Sequence, residues 1–523
     1  MHSSPAAPGH NSVAGLQRAL GSGALTAADL TDYYLDRIAQ LNPALHAVIR
    51  VSPDAGEQAR ASDAARAAGQ PRGPLEGIPV LVKDNIQVAG MPATAGSPAL
   101  LHAQAGDAFC VTRLRAAGAV IIGKANMSEW ANFRSTHSTS GWSTLGGQVD
   151  NPRAPGRNPS GSSSGSAAAV AAGLTPLAIG TETDGSIVCP ASACGIVGIK
   201  PTLGLVSRTG IVPISLAQDT AGPMAASVAD AAALLSVLAA VDPADACVQA
   251  NDDFPVRSIL DYTDYLDPGA LDGARIGVWR EASASAGPAI LAVLDDAVAL
   301  LREAGAAGLA DVTLPDVPQM GKMEFTALLH EFKRDINAYL AGLGGEHPAD
   351  LAGLIAFNAE HAGTVLAHFG QEAFERAQAL SGDPDDLELV TSRAQATRLA
   401  RAAWDSALCG GGARRGGGAL RGGGALGGAS GGELEAVIAL TASPAWLTDY
   451  VLGDHDVFHT SSPAAVAGYP SVTVPAGEVS GLPVGLSFTG PRWSEPRLIA
   501  LAHAFEQALA ARRRADQAAA QAR

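Results

Sequence analysis

The chain has 523 residues, of which 47% are hydrophobic and 16% are charged, and its formal net charge is −16. This composition is typical of a globular protein and excludes a disordered chain. A strongly acidic surface disfavours binding to nucleic acid phosphates or anionic membranes, so we expect neither as a partner. The first residues lack the basic flank and apolar run of a signal peptide, and no apolar stretch reaches the roughly 18 residues that span a bilayer. The sequence therefore predicts a soluble, cytoplasmic protein.

The five cysteines do not indicate a disulfide framework or a zinc site. Their number is odd, and their spacings match no common zinc pattern. We expect reduced and mostly buried thiols at these positions: Cys110, Cys189, Cys194, Cys247 and Cys409.

The first predicted element is an amphipathic helix in the segment LTAADLTDYYLDRIAQLN. Thr26 followed three residues later by Asp29 is typical of a helix N-terminus, because the hydroxyl and the carboxylate accept backbone N–H groups there. Apolar side chains recur at helical spacing and predict one buried face. These side chains are Leu30, Tyr34, Ile38 and Leu41.

Two buried strands are predicted further along the chain. The apolar run 78–82 predicts a strand that ends at Lys83. The segment RLRAAGAVIIGKAN then predicts a helix, a turn at Gly118 and a strand over 119–122. Lys83 would thus stand at the end of an apolar strand, where burial is expected.

The rest of the chain alternates between strands, small-residue loops and helices. In 158–201 a Ser/Gly loop precedes a short helix near 166–172, and a second loop, TETDGS, follows a short apolar strand. Residues 227–240 predict a helix, and 285–400 are predicted to be largely helical and to form a separate layer or cap near the substrate. AVIALT and SVTVPAG predict strands, and a helix closes the chain. The Gly-rich segment 409–432 predicts a flexible surface insertion, because such glycine density does not sustain a regular element.

Several motifs, taken together and in order, resemble those of the amidase signature family. They are SGSSSGSAAAV followed by TETDGSIVCPASACGIVGIKPT, the upstream GIPVLVKDNI, the downstream AQDTAGPM, and AVAGYPSVTVPAG with GLPVGLSF near the end. The resemblance runs from about residue 13 to about residue 510 and is interrupted by the Gly-rich segment. It implies a single large α/β domain, 1–523, in which helices cover both faces of a central mixed β-sheet.

The resemblance also implies a role for individual residues. Ser186 matches the nucleophile, Ser162 the bridging serine that follows a cis peptide bond, and Lys83 the base. The backbone N–H groups of the loop before the nucleophile match an oxyanion hole, and Ser163 matches a donor that supports the site. The oxyanion-hole residues are Thr183, Asp184 and Gly185, together with Ser186.

These residue types suit the hydrolysis of an amide. A serine hydroxyl is a weak nucleophile and needs a base. Lysine serves as a base only when it is neutral, and burial favours the neutral amine. Ser162 can accept and donate a proton at once, so it can connect Ser186 with Lys83. The scheme requires neither a metal nor another cofactor.

Other residues have a simpler structural interpretation. Cys189 lies close to Ser186 in sequence, but a buried structural cysteine is favoured over a thiol nucleophile because no histidine stands near it in the motif. His455 and His459 are four residues apart, which is weak evidence for a metal site. We expect Asp219, in AQDTAGPM, to act as a structural hydrogen-bond acceptor.

Further strings resemble bacterial peptide amidases, which deamidate the C-terminal carboxamide of peptides. They are SEWANFRS, SGWSTLGGQ, GTETDGSIVCPAS, LLHEFKRDINAYL and LIAFN. The predicted substrate is therefore a small-molecule or short peptide amide, and the sequence does not indicate an oligomeric state. Candidates for the apolar lining of the substrate pocket are Trp130, Phe133, Trp142, Phe325 and Phe332, although packing in the protein core is the favoured interpretation of any single one.

Three alternative functions remain open at this point. One is a broad-specificity amidase for aliphatic, aryl or fatty amides. Another is the glutaminase subunit of a tRNA-dependent amidotransferase, which the acidic charge disfavours. The third is a binding or scaffold protein descended from an amidase, and the presence of all three catalytic positions argues against it.

Overall fold

A computed structural model of the protein describes residues 12–249, 261–409 and 433–521. The Gly-rich insertion predicted at 409–432 lies outside the described residues, apart from Cys409. The helices are α1 (Val13–Gly21), α2 (Ala27–Leu45), α3 (Ala55–Ala67), α4 (Phe109–Ala116), α5 (Ser164–Ala171), α6 (Val188–Cys194), α7 (Val228–Leu238), α8 (Ala246–Gln249), α9 (Pro288–Glu303), α10 (Val317–Ala341), α11 (Leu351–Glu360), α12 (Ala362–Val365), α13 (Glu372–Ala379), α14 (Leu387–Leu408), α15 (Ser462–Ala467) and α16 (Glu495–Gln521).

In the described residues, the strands build one large mixed sheet and two small antiparallel sheets of two strands each. They are β1 (Val48–Val51), β2 (Pro79–Lys83), β3 (His102–Gln104), β4 (Val120–Ala125), β5 (Trp142–Ser143), β6 (Gly147–Gln148), β7 (Leu177–Glu182), β8 (Val197–Lys200), β9 (Thr220–Ala225), β10 (Arg275–Val278), β11 (Gly308–Asp311), β12 (Gly344–Glu346), β13 (Ala436–Leu440), β14 (Ser471–Val479) and β15 (Leu482–Thr489). In the part of the chain that the structure describes, the large sheet has 11 strands in the order β1-β4-β2-β7-β9-β8-β14-β15-β13-β10-β11.

The sheet is mixed, and both of its faces are covered. β2 pairs in parallel with β4 and β7, whereas β7 and β9 are antiparallel. Every residue of β2, β4, β7, β9 and β13 is buried. Strands that are buried at every position lie between two layers, because successive side chains point to opposite faces. The predicted α/β class, with a central mixed sheet between helices in one large domain, is confirmed.

The predicted N-terminal helix corresponds to α2. The hydroxyl of Thr26 accepts a hydrogen bond from the backbone N–H of Asp29 at 3.0 Å, as the capping pattern predicts. Leu30, Tyr34 and Ile38 are buried, whereas Leu41 is 37% exposed. The buried face therefore ends one turn before the sequence pattern does.

The strands next to the candidate site also follow the sequence. β2 ends at Lys83, and β4 extends the predicted strand 119–122 to Ala125. Between α4 and β4, Gly118 has a φ of +82°, and a side chain there would collide with Glu76. Glycine allows this turn, which brings β4 back alongside β2.

A layer of helices lies beyond the sheet, and it begins later than the sequence predicts. Of the predicted helical region 285–400, α9 packs on β14 and β15, and β11 is the edge strand of the large sheet. The layer proper consists of α10 to α14, within which α10 packs on α13 and α14. Its core contains stacked rings of Phe332 and Phe374, whose centroids are 5.0 Å apart.

The two chain segments that flank the Gly-rich insertion meet at one point. The backbone N–H of Leu434 donates to the carbonyl of Leu408 at 2.7 Å. The residue just before the insertion and a residue just after it are therefore in contact.

None of the helices in the described residues is both long enough and apolar enough to cross a membrane.

Candidate active site

The candidate site lies at one edge of the sheet, where two neighbouring strands end. β2 and β7 are parallel neighbours, with Val82 opposite Ile179. Lys83 is the last residue of β2 and Glu182 the last of β7, so the loops that follow these strands leave from the same edge. β9 is antiparallel to β7, and its first residues therefore lie at this edge as well. This edge of the sheet brings together four segments, which contain Lys83, Ser162, Ser186 and Asp219.

Lys83 is fully buried and has three close oxygen neighbours. Its Nζ lies 2.8 Å from the hydroxyl oxygen of Ser162. It also lies 2.9 Å from Thr181 Oγ1 and 3.2 Å from the carbonyl oxygen of Thr181. The hydroxyl of Thr181 accepts a second hydrogen bond from the side-chain amide of Asn85, at 2.9 Å. The structure thus places the predicted base directly against the predicted bridging serine.

Burial lowers the pKa of Lys83 to about 7, because removal from water penalises the charged amine. The carboxyl groups of Glu182 and Asp219 act in the opposite direction, since a nearby negative charge favours the cation. Desolvation is the larger effect. Lys83 is therefore able to be neutral near neutral pH.

The loop that carries Ser162 is fixed by close packing and by hydrogen bonds. The Gly161–Ser162 peptide bond is cis, as the family resemblance implies. A side chain at Gly161 would collide with the hydroxyl of Ser128. Ser163 joins the loop to β7: its hydroxyl donates to the carbonyl of Thr181 at 3.1 Å and accepts the N–H of Thr181 at 3.2 Å.

Ser163 also connects the two serine loops. Its backbone N–H donates to the carbonyl of Ser186 at 3.1 Å. Ser186 follows Gly185, whose φ is +77°, and its residue surface is 9% exposed. The predicted nucleophile is therefore next to the bridging-serine loop, in a nearly buried position.

Glu182 holds the start of the helix that follows Ser186. Its carboxylate accepts the backbone N–H groups of Ile187 at 2.7 Å and Val188 at 3.0 Å. This is the capping function of an acidic side chain at a helix N-terminus. Glu182 and Thr181 were not among the predicted site residues, although both stand in GTETDGS. The only available signal was that polar side chains in this motif follow directly on a buried strand.

The loop before Ser186 presents successive backbone donors. Within the described ranges, the backbone N–H groups of Thr183, Asp184, Gly185 and Ser186 have no protein acceptor. The side chains around them are anchored: the carboxylate of Asp184 accepts the hydroxyls of Ser461 and Ser462, both at 2.6 Å. Such a row of fixed and unpaired N–H groups can bind a negatively charged oxygen.

Thr183 is held by two residues that precede β9. Its hydroxyl donates to Asp219 Oδ1 at 2.6 Å, and its carbonyl accepts Gln218 Nε2 at 2.9 Å. Asp219 also accepts the backbone N–H groups of Ile214 and Ser215. Burial raises the pKa of Asp219 to about 6. The expectation that Asp219 is a structural acceptor is confirmed by these contacts.

The residues with simpler interpretations have protein partners or are inaccessible. Cys189 is buried, and burial raises the pKa of its thiol well above the ordinary value. A buried, protonated thiol is a poor nucleophile. His455 Nε2 lies 2.9 Å from Asp449, and His459 Nδ1 lies 3.0 Å from the hydroxyl of Ser461.

A cavity of about 370 Å³ is linked to the cis peptide loop through one of its lining residues, Asn132. Phe133, Phe325 and Leu452 contribute apolar surface to it, and Asn132 contributes a polar group. The side-chain amide of Asn132 donates to the hydroxyl of Ser140, which packs on Gly161. Of the five aromatic residues predicted as lining, Phe133 and Phe325 therefore line a cavity. The other three pack in the protein interior: Trp130 and Phe332 on Phe374, and Trp142 on Phe369.

Comparison with known proteins gives a consistent result along the whole chain. The sequence pattern of the family described as Amidase matches residues 29–408. A probable amidase of Arabidopsis thaliana is 39% identical over 494 residues, which cover 92% of this chain and 87% of that protein. A glutamyl-tRNA(Gln) amidotransferase subunit of Chloroflexus aurantiacus is 34% identical over 506 residues, covering 95% of this chain and 96% of that protein.

Solved structures give the same result at the level of the fold. The native peptide amidase of Stenotrophomonas maltophilia is 46% identical, with a TM-score of 0.87 over 96% of this chain and 97% of that one. A peptide amidase in complex with the competitive inhibitor chymostatin is also 46% identical, with a TM-score of 0.88 over 96% of this chain and 98% of that one. The chain therefore belongs to the amidase family and is an enzyme that hydrolyses carbon–nitrogen bonds of amides.

Proposed function

We propose that this enzyme deamidates the C-terminal carboxamide of peptides through Ser186, Ser162 and Lys83. The observation that carries the proposal is the position of Lys83, buried and 2.8 Å from the hydroxyl of Ser162. The proposal assigns Ser186 as nucleophile, Ser162 as proton relay and Lys83 as base.

The contacts of Lys83 suit a neutral amine. A neutral lysine has two N–H bonds and one lone pair, whereas the cation has three N–H bonds and no acceptor. The carbonyl and hydroxyl oxygens of Thr181 accept the two N–H bonds. The lone pair then faces Ser162 and accepts the proton of its hydroxyl.

The reaction then proceeds in two halves. Ser162 accepts the proton of Ser186 as Ser186 Oγ attacks the amide carbon, and the proton of Ser162 passes to Lys83. The N–H groups of Thr183, Asp184, Gly185 and Ser186 stabilise the oxyanion, and the leaving ammonia takes the proton back through Ser162. Water hydrolyses the acyl-enzyme by the same relay, which releases the acid and restores Ser186.

Support for a peptide amide as substrate comes from similarity and from the shape of the site. The solved structures that resemble this chain at 46% identity include peptide amidases. The motif strings SEWANFRS and LLHEFKRDINAYL are also similar to those enzymes. The cavity lined by Phe133, Phe325 and Leu452, which Asn132 and Ser140 link to Gly161, suits the acyl side of a peptide.

The test is mass spectrometry of a short peptide amide after incubation with the enzyme, together with an ammonia assay. We expect replacement of the C-terminal amide by a carboxyl group, with equimolar ammonia and intact internal peptide bonds. Internal cleavage fragments would refute the proposal. So would rapid hydrolysis of a fatty or aryl amide alongside no reaction on peptide amides, which would identify a different amidase specificity.

The second candidate is a glutaminase subunit, which the 34% identity to an amidotransferase subunit favours. The same ammonia assay with free glutamine distinguishes it. Ammonia from glutamine but not from peptide amides would replace the peptide amidase assignment by this one.

A further inference from the structure

The peptide unit between Thr183 and Asp184 is held from its carbonyl side. Gln218, which is 3% exposed, donates from Nε2 to the carbonyl oxygen of Thr183 at 2.9 Å. This peptide is trans, and the C=O and N–H of a trans peptide point in opposite directions. The hydrogen bond from Gln218 therefore fixes the direction of the Asp184 N–H, which points away from Gln218.

That N–H is one of the donors available to the substrate. Within the described ranges the N–H of Asp184 has no protein acceptor, unlike the carbonyl of the same peptide unit. A donor contributes to an oxyanion hole only if it is aimed at the developing charge before the reaction begins. Rotation of the Thr183–Asp184 peptide would turn this donor away.

The amide of Gln218 is itself held in one orientation by the helical layer. Its Oε1 accepts a hydrogen bond from Arg393 Nη1 at 2.7 Å, and its Nε2 also donates to Glu324 Oε1. Arginine carries only donors, so it requires the oxygen of the amide. A flipped amide would place its NH₂ against Arg393 and its oxygen against two acceptors.

Arg393 is in turn fixed on α14 by a buried carboxylate of α10. Its Nε donates to Glu331 Oε1 at 2.8 Å, and its Nη2 donates to Glu331 Oε2 at 2.5 Å. Such a bidentate pair defines the plane of the guanidinium group. Ser215, three residues before Gln218, donates to the same carboxylate at 2.6 Å.

We propose that Gln218 is a positioning residue for the oxyanion hole, and that it aims the Asp184 N–H by holding the Thr183 carbonyl. α10 and α14 set its orientation through Glu324 and Arg393. The inference rests on the proposed role of Ser186 and gives a role to Gln218, a residue of the AQDTAGPM motif to which the family resemblance assigned none.

The first measurement is the kinetics of Gln218→Met. This variant keeps the length of the side chain but removes both the oxygen and the NH₂ of the side-chain amide. Loss of a whole oxyanion-hole donor typically costs about 100- to 1,000-fold in kcat. Here the donor is misdirected rather than removed, so we expect kcat on a peptide amide to fall about 10- to 100-fold, with KM within about threefold.

The second measurement separates positioning from a purely structural role. A peptidyl aldehyde adds to Ser186 and forms a hemiacetal whose oxygen occupies the oxyanion hole, whereas the peptide acid binds without that bond. In Gln218→Met, inhibition by the aldehyde should weaken by the same factor as kcat/KM, and inhibition by the acid should stay unchanged. Equal weakening of both inhibitors would overturn the proposal.

A matched control is Gln58→Met. Gln58 also binds a backbone segment with its amide, accepting the N–H of Ile121 at 3.0 Å on a part of the sheet away from Ser186. We expect its thermal shift to resemble that of Gln218→Met while kcat is unchanged. If Gln218→Met does not fold, Gln218→Asn keeps the amide but is too short to bind Thr183 and Arg393 together, and the same loss of kcat is expected. Wild-type kcat in either folded Gln218 variant would refute the role.

Failure of this inference is distinguishable from failure of the proposed substrate. An aryl fluorophosphonate labels an activated serine, and its phosphoryl oxygen also occupies the oxyanion hole. If the wild-type protein releases no ammonia from peptide amides but Ser186 is labelled, the substrate proposal alone fails. The labelling rate of Gln218→Met then decides the inference: a loss of about 10-fold or more supports it, and an unchanged rate overturns it.

Discussion

The amine of Lys83 lies among oxygen atoms at fixed distances and has no exposed surface. Only its neutral form can accept the proton of Ser162, and burial lowers its pKa to about 7. Protonation below that pKa removes the base. We therefore expect kcat/KM for a peptide amide to rise with pH through about 7 and to level off above it. The measurement is a pH–rate profile, and an activity that falls with rising pH across this range would contradict the neutral lysine.

Ser186 carries the second prediction at this scale. Ser186→Ala should lower turnover by at least about a thousandfold while the melting temperature stays close to that of the wild type, because only one hydroxyl group is removed. Ammonia release and thermal unfolding by circular dichroism measure the two effects. Cys189→Ala is the control, since its buried thiol takes no part in the scheme. Full activity in Ser186→Ala, or inactivity confined to Cys189→Ala, would require another nucleophile.

Ser162 and Lys83 act as one unit in the proposed relay, and this has a kinetic consequence. Each alanine substitution alone should lower kcat strongly, and the double substitution should lower it by little more than the worse of the two. Groups that act together give non-additive losses. A double-mutant cycle on kcat/KM makes the measurement. A loss in the double variant that equals the product of the single losses would show that the two side chains act independently.

The residues that carry these predictions were visible in the sequence, and those that support them were not. Lys83, Ser162 and Ser186 stand in motifs whose order and spacing are specific. The hydrogen bond from Gln218 to Thr183, by contrast, joins residues that only the antiparallel pairing of β7 with β9 brings together. Arg393 and Glu324 reach Gln218 from helices far along the chain. No local sequence pattern predicts such contacts, because these residues become neighbours only in the folded protein.

Helices and strands were predicted correctly where a single sequence pattern, such as an apolar run or a helical repeat, extends over the whole segment. β2 is an unbroken apolar run, and α2 has both a cap and a helical repeat, so both were predicted close to their observed ends. β15, Leu482–Thr489, was recognised as part of a motif but not as a strand, because Pro483 and Gly485 interrupt its apolar pattern. β11 was assigned to the helical region, since it is short, starts with glycine and is only partly buried.

The contact between Leu408 and Leu434 yields a prediction for the Gly-rich insertion. Deleting Gly410 to Gly431 leaves three residues to connect two positions that already share a hydrogen bond. Loop-closure entropy changes slowly with length, by about 0.6 kcal/mol per doubling, and a shorter loop costs less. We therefore expect the deletion variant to keep its activity and to melt at or slightly above the wild-type temperature. A melting temperature lowered by many degrees would show that the insertion contributes structure.

A substitution in α14, the helix that precedes the insertion, should by contrast lower the stability of the protein. Trp404, in α14, is 2% exposed and packs in the cluster formed by α10, α14 and α15. Trp404→Ala should destabilise the protein by about 3–5 kcal/mol, because it removes a large buried side chain and leaves a cavity. Denaturant unfolding compares the two variants directly. Similar stability in both would mean that α14 itself contributes little to the fold.

For the whole molecule, the order of strands explains where the site lies. β4, β2, β7, β9 and β8 are consecutive neighbours in the large sheet, and all five come from residues 120–225 and 79–83. The ends of β2 and β7 and the beginning of β9 meet at one edge, so Lys83, the loop to Ser186 and Asp219 converge there. The general expectation of a mixed sheet between helices followed from the family resemblance. The strand order did not, because pairing between distant segments leaves no local trace in the sequence.

The residues proposed for the reaction and some of those that line the cavity come from different parts of the chain. The proposed proton relay and oxyanion hole lie within residues 79–225, whereas Phe325 and Leu452, which line the neighbouring cavity, come from later segments. Cavity residues outside 79–225 can thus be changed without altering the segment that carries the relay, whereas Phe133 belongs to that segment. A library restricted to the cavity-lining positions of α10 and of the loop before α15 would vary substrate preference while the chemistry of bond cleavage stays constant. Other residues of the later segments support the reaction: Glu324, Glu331 and Arg393 contact Gln218 or its neighbours. Ser461 and Ser462 hold Asp184, and such a library should leave all five residues untouched.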